Sequence, residues 1–297
     1  MFIVLDDKLR LYSFPNHPFN AKRYDAFVEA LEKNGLLKKI RIIKGREASE
    51  EELLLFHTKE YIDFVKRKSN EGGLLDYGDT PAFKHCYEAG CYVVGSVLKS
   101  IDEIINNEEN GFVPIAGLHH AYPTRAAGFC IFNDIGVGIK YLKNKGIRKI
   151  LYFDIDAHHG DGVFYSFEDD PDVVIVDFHQ MPLYPGTGFA DEIGKGKATG
   201  TKLNIPLAPN SCDEDFKNVL KDVDKFLKKF KVEFVIFQAG VDSMANDPLA
   251  SLNFQKAHSI ATEFLLKYAK SCKANILALG GGGYSLDNIK KGWLQVI

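Results

Sequence analysis

The sequence predicts an α/β protein with a mainly parallel sheet flanked by helices on both faces. Short runs of β-branched and aromatic residues alternate with longer stretches of helical period, which is the pattern of such a sheet. Several of the short runs are apolar on both faces, as strands covered from both sides must be. Clusters of acidic residues, histidine and glycine fall directly after these runs, where open α/β sheets bind their ligands.

Taken in order, strands are expected at Phe2 to Leu5, Ile40 to Ile43, Val113 to Ala116, Lys149 to Ile155, Val173 to Phe178, Phe234 to Ala239 and Ile276 to Leu279. Between Asp213 and Phe230, the residues Phe216, Val219, Leu220, Val223, Phe226, Leu227 and Phe230 recur at the three-and-four spacing of one helical face. The segment Phe254 to Ala269 repeats the pattern, with His258 read as a packed helix residue. Gln180 to Asn204 carries Pro182, Pro185, Gly186, Gly188, Gly194, Gly196 and Gly200 and reads as a long surface loop. No repeat, low-complexity tract or Pro/Ser-rich linker divides the 297 residues, and 45% hydrophobic content can bury a large core. One domain spanning 1–297 is expected.

Composition narrows the function classes. A net charge of -3 gives no general electrostatic reason to bind nucleic acid or an anionic membrane. Cys86, Cys91, Cys130, Cys212 and Cys272 are odd in number and contain no CxxC pair, which argues against a disulfide framework and for a reducing cytoplasm. Met1 to Leu5 is too short for a signal peptide and lacks a basic flank, and no segment is long and uncharged enough to span a bilayer. A cytoplasmic protein with no membrane and no nucleic-acid partner is expected.

The chemistry is concentrated in Tyr152-Phe-Asp-Ile-Asp-Ala-His-His-Gly-Asp-Gly162. Asp156 and His158, two apart on a segment read as extended, point to the same side, and Asp242 after a later strand completes an Asp, His, Asp set. Three protein ligands with a position left open is the arrangement of a catalytic metal. The set suits zinc and also ferrous iron. His119 and His120 are adjacent imidazoles suited to proton transfer near neutral pH, and Asp154 and Asp161 are spare carboxylates to hold them. Gly280 to Gly283 let backbone approach a ligand closely, and Tyr284 beyond them can donate its hydroxyl to a developing oxyanion. Singly, each of these residues has a structural use as a cap, turn or surface group. His159, His179, His17, His57 and His85 are read as structural.

These motifs resemble the zinc-dependent histone deacetylase family, including its prokaryotic amidohydrolase and acetoin utilization relatives. The likeness runs through His17-Pro-Phe-Asn20 with Arg23, Leu55-Phe-His-Thr58 with Tyr61, Gly117 to His120, Gly128 to Asp134, Asp154 to Gly162, Pro185 to Gly188, Asp242 with Asp247-Pro248, and Gly280 to Tyr284. It implies the arginase/deacetylase-like fold and removal of acetyl groups from lysine side chains of proteins or peptides. It implies zinc on Asp156, His158 and Asp242. His120 paired with Asp161 would be general base and then acid, His119 paired with Asp154 would give electrostatic support, and Tyr284 would polarise the acyl carbonyl. Phe129 and Tyr184 match the tunnel walls and Leu249 its mouth. Gly128 would offer a carbonyl near the substrate nitrogen, Asp79 a rim carboxylate for peptide backbone, and Gly282 a further substrate contact. A potassium or sodium ion is implied on Asp154, Asp156, His158, Asp177 and Phe178. Tyr184 stands where phenylalanine is commoner. The chain ends soon after Trp293 without the long extension of many relatives, which leaves corepressor docking unsupported.

Three other readings compete. A deacetylase of acetylated polyamines or other small acylated amines would share the metal site. A two-metal ureohydrolase needs further carboxylates, and Tyr284 speaks against it. A silent acetyl-lysine binder would be expected to lack His120, Tyr284 or a ligand, and all are present. The natural substrate and oligomeric state are not legible in the residues.

Overall fold

The structure, a computed structural model, describes residues 1–78 and 80–297, so the expected rim carboxylate Asp79 lies outside the described residues. Among those residues the strands are β1 (Phe2–Val4), β2 (Arg41–Ile43), β3 (Gly73–Leu74), β4 (Pro81–Ala82), β5 (Gly111–Val113), β6 (Ile150–Asp154), β7 (Val173–Gln180), β8 (Lys202–Leu207), β9 (Phe234–Gln238) and β10 (Asn275–Leu279). Eight of them form one sheet in the order β2-β1-β5-β10-β9-β6-β7-β8, and β3 with β4 makes a separate small hairpin. Every neighbouring pair in the large sheet is parallel. Every residue of β6, β7 and β9 is buried, which requires cover on both faces.

Expected strands and helices appear with three instructive shifts. The strand expected at Val113 to Ala116 is Gly111–Val113, because Pro114 has no N–H to continue the ladder. Residues 113 and 116 instead accept N–H groups from the glycine run, Gly280 N to Val113 O and Gly281 N to Ala116 O at 2.9 and 2.8 Å. The helix expected from Phe254 starts at Ala257. Phe254 is buried but bonded in extended fashion, its N–H to Ser243 O and its carbonyl to Ala245 N. The other helix runs Asp213–Leu227, opened by Asp215 accepting the N–H of Cys212 at 2.8 Å.

The loop expected over Gln180 to Asn204 ends early, since β8 starts at Lys202. As the outermost strand β8 carries Lys202, Asn204 and an exposed Pro206, and a proline is tolerated only at such an edge. Its polar content hid the strand. Lys202 is nonetheless buried, capping Asp170 O and Thr201 Oγ1, each at 2.9 Å. The segments that carry chemistry follow β5, β10, β9 and β6. These are four consecutive neighbours in the sheet, so their carboxyl ends deliver His119, the Gly280 to Tyr284 run, Asp242 and Asp156 to one crevice.

Candidate active site

The segment after β6 bends rather than staying extended, which corrects the expectation behind the pairing of Asp156 with His158. Asp154 Oδ1 accepts the N–H of Asp156 at 2.8 Å, and Asp156 Oδ1 accepts that of His158 at 3.0 Å. Aspartates that bond the N–H two residues on form successive tight turns. The alternate spacing therefore works through these turns, and it still brings the side chains together. His158 Nδ1 lies 3.2 Å from Asp156 Oδ1 and 3.1 Å from Asp242 Oδ2. One donor atom from each of the three residues lies within 4.8 Å of the others, and all three residues are buried.

Two glycines permit this crowding. A Cβ on Gly240 would sit 2.0 Å from Asp156 Oδ2, and one on Gly282 would sit 2.0 Å from Asp242 Oδ2. Gly282 instead donates its N–H to Asp156 Oδ2 at 2.7 Å, and Ala157 N donates to Asp242 Oδ1 at 2.8 Å. Burial followed by the neighbouring Asp156 pushes Asp242 up to about 7. Burial opposes a charge on His158, but Asp156 and Asp242 outweigh it and push the imidazole up to about 10. The site gathers two buried carboxylates away from water, a charge that a bound cation would offset. Two carboxylates and one imidazole are a donor set that fits zinc or ferrous iron, with the imidazole giving up its proton to the ion it binds.

Next to this set, His120 Nδ1 lies 2.6 Å from Asp161 Oδ1 and His119 Nδ1 lies 2.9 Å from Asp154 Oδ2. The two Nε2 atoms face each other at 3.1 Å. Burial and the adjacent His119 hold His120 below its ordinary value, against the pull of Asp161. Asp161 also accepts Tyr122 Oη–H at 2.9 Å, a partner to which no role was given from sequence. Tyr152 donates to Asp154, whose carboxyl is raised well above its usual range by burial, Asp177 and Asp156. Asp154 and Asp177 are register partners across β6 and β7. Asp177 accepts Gly160 N and pairs with His179, each at 2.9 Å, and Phe178 is buried beside it.

The run after β10 places Tyr284. Asp247 Oδ2 accepts the N–H of Tyr284 at 2.8 Å, and Oδ1 accepts that of Leu249 at 3.0 Å. From the other side the fully buried guanidinium of Arg23 donates through Nε to Gly283 O at 2.8 Å and through Nη2 to Gly281 O. The sequence pattern assigns Arg23 no role. An arginine in a helix whose partner lies 260 residues away gives no local signal of burial. Burial, then Asp242 and Asp156, pushes the Tyr284 hydroxyl well above the ordinary tyrosine value, so it stays protonated.

A cavity of about 210 Å³ opens onto these groups, lined by His120, Gly128, Phe129, His158, Leu183, Tyr184, Leu249 and Tyr284. All the residues expected for walls and mouth are present in that lining, and Leu183 is an addition. Gly282 is excluded from the lining and lies beneath, against the two carboxylates. The Tyr184 ring stands 5.2 Å from His120 and is half exposed, and the Phe129 ring stands edge-on to Tyr284 at 5.8 Å. His17, read as structural, packs 4.3 Å from Phe129 and so backs the cavity wall. His258 is buried and bonds Gly240 O at 2.9 Å, as expected of a packed helix residue. No helix among the described residues is long and apolar enough to cross a membrane.

Comparison with known proteins agrees with this arrangement. The histone deacetylase domain family matches residues 17–297. A probable deacetylase of Archaeoglobus fulgidus is 34% identical over 290 residues, covering 95% of this chain and 80% of its own. The acetoin utilization protein AcuC of Staphylococcus aureus is 34% identical over 309 residues, covering 99% and 79%. Among solved structures, the HD domain of HDA15 matches the whole chain and 89% of its own with a TM-score of 0.92 at 28% identity. An HDAC homolog crystallised in complex with SAHA matches the whole chain and 82% of its own, with a TM-score of 0.87 at 31% identity. A single family thus accounts for the sheet order, the cavity and the sequence together: the chain belongs to the histone deacetylase family and is a deacetylase.

Proposed function

We propose that residues 1–297 form one catalytic domain that removes acetyl groups from the side-chain amine of lysine in proteins or peptides. The observation that carries this reading is the cavity. Its walls, Phe129, Leu183, Tyr184 and Leu249, suit the methylene stem of acetyl-lysine, and its end presents His120, His158 and Tyr284. Asp156, His158 and Asp242 would hold zinc. When bound, such an ion supplies Lewis acidity and a water of lowered pKa.

The chain's own residues do the rest. With Nδ1–H given to Asp161, His120 has Nε2 as its basic nitrogen, which takes the proton of the attacking water and later returns it to the departing amine. The depressed value of His120 keeps it neutral and ready to accept. Tyr284 donates its hydroxyl proton in a hydrogen bond to the acyl oxygen as negative charge builds there. His119, held by Asp154, gives electrostatic support beside the Nε2 of His120. Acetate and a free amine leave, and no covalent bond to the enzyme is needed. Potassium or sodium on Asp154, Asp156, His158, Asp177 and Phe178 belongs to the same proposal, where clustered carboxylates favour a second cation. The five unpaired thiols support a cytoplasmic setting.

The test is hydrolysis of an acetyl-lysine peptide beside N-acetylputrescine by zinc-loaded protein. A higher kcat/KM for the peptide supports the proposal. Preference for the polyamine would move the chain to small acylated amines, and no turnover of either would leave only binding.

A further inference from the structure

Phe129 forms part of the cavity wall in an unusual backbone state. Ala127 and Cys130 pair their backbones across Gly128 and Phe129, which have φ of +53° and +67°. Positive φ at both central residues is the sign pattern of a type I′ turn, which favours glycine or asparagine. A phenylalanine in the second place is rare and must be held there. Both polar groups of its backbone are held by side chains distant in sequence. Its carbonyl accepts Tyr12 Oη–H at 2.7 Å, and its N–H donates to Thr80 Oγ1 at 3.1 Å.

Thr80 is fully buried in the connection between β3 and β4, immediately before β4. Its hydroxyl proton goes to Asp76 Oδ2 at 2.5 Å, while Asp76 Oδ1 accepts the N–H groups of Gly78 and Thr80, each at 3.0 Å. A carboxylate only accepts, so the hydroxyl has its one proton committed and can offer Phe129 only a lone pair. The direction of the whole relay is therefore fixed. The ring that it sets stands between His17 at 4.3 Å and Tyr284 at 5.8 Å.

We propose that Thr80, oriented by Asp76, is a positioning residue that holds Phe129 in its left-handed turn and so sets the cavity wall against the substrate stem and Tyr284. The kinetic consequence rests on the deacetylase reading above. Thr80→Val keeps the shape and removes the acceptor, whereas Thr80→Ser keeps the hydroxyl. A wall that touches the stem equally before and during reaction acts on KM more than on kcat. Thr80→Val is expected to lower kcat/KM for an acetyl-lysine peptide by about tenfold, mostly in KM, with Thr80→Ser within about twofold of wild type.

A second measurement is independent of turnover. In protein carrying 4-fluorophenylalanine at position 129, Thr80→Val should shift or broaden the fluorine resonance and Thr80→Ser should leave it in place. If Thr80→Val does not fold, Asp76→Asn, which loses one acceptor of the relay, is expected to give the same resonance change in weaker form. An unmoved resonance and unchanged KM in the folded variants would overturn the inference. A wild-type protein that fails to hydrolyse the peptide would overturn the deacetylase reading instead, and the fluorine spectra would still decide the role of Thr80.

Discussion

His120 Nδ1 lies 2.6 Å from Asp161 Oδ1, and both side chains are almost wholly buried. Tyr122 takes the second oxygen of the same carboxylate at 2.9 Å. The imidazole is thereby fixed in one orientation with Nε2 facing His119 and the cavity. An imidazole held so firmly has one tautomer suited to the proposed role of general base.

Removing this base should be costly to turnover and mild for the fold. His120→Ala is expected to lower kcat by about a hundredfold or more, with zinc still bound. Asp161→Asn should act in the same direction, because it lets the imidazole turn. Steady-state kinetics alongside metal analysis checks both.

The pH profile follows from the direction of the His120 shift. Burial and His119 hold it below its ordinary value of 6.5. A general base works when neutral, so activity persists as pH falls past 6.5 and is lost only through the depressed value. The acid limb of kcat/KM, measured on an acetyl-lysine peptide, should have its midpoint below 6.5 and should disappear in His120→Ala.

Tyr284→Phe removes one hydroxyl and leaves the ring against Phe129. Turnover should fall by roughly a hundredfold while metal content and melting temperature stay near wild type. Unchanged turnover would remove Tyr284 from the reaction.

Gly282→Ala probes the crowding directly. Its Cβ would sit 2.0 Å from Asp242 Oδ2 and 2.9 Å from Asp156 Oδ2 and would force the carboxylates apart. The variant should fold yet lack the rise in melting temperature expected of zinc in the wild type, since a ligand stabilises the state that binds it. Calorimetry with and without zinc reads this.

The sequence made the inner sheet legible because β6, β7, β9 and β10 are apolar runs that end in polar clusters. It hid β8, where an edge position allows Lys202, Asn204 and Pro206 to break the apolar pattern. The candidate ligands Asp156, His158 and Asp242 were legible as residue types after strands, but the turns that join the first two were read as extended backbone. Arg23, Tyr122 and Thr80 were not legible as parts of the site. Their partners Gly283, Asp161 and Phe129 are far along the chain, and only the fold brings donor and acceptor together across that separation.

The central claim is that Asp156, His158 and Asp242 hold one metal ion on which acetyl-lysine hydrolysis depends. The most direct test is acetate release from an acetyl-lysine peptide as metal-free protein is titrated with zinc, in wild type and in Asp242→Ala. Activity that rises to a plateau at one equivalent in wild type and stays at background in Asp242→Ala is the predicted result. Full activity in chelator-treated protein, or in Asp242→Ala at one equivalent, would contradict the account.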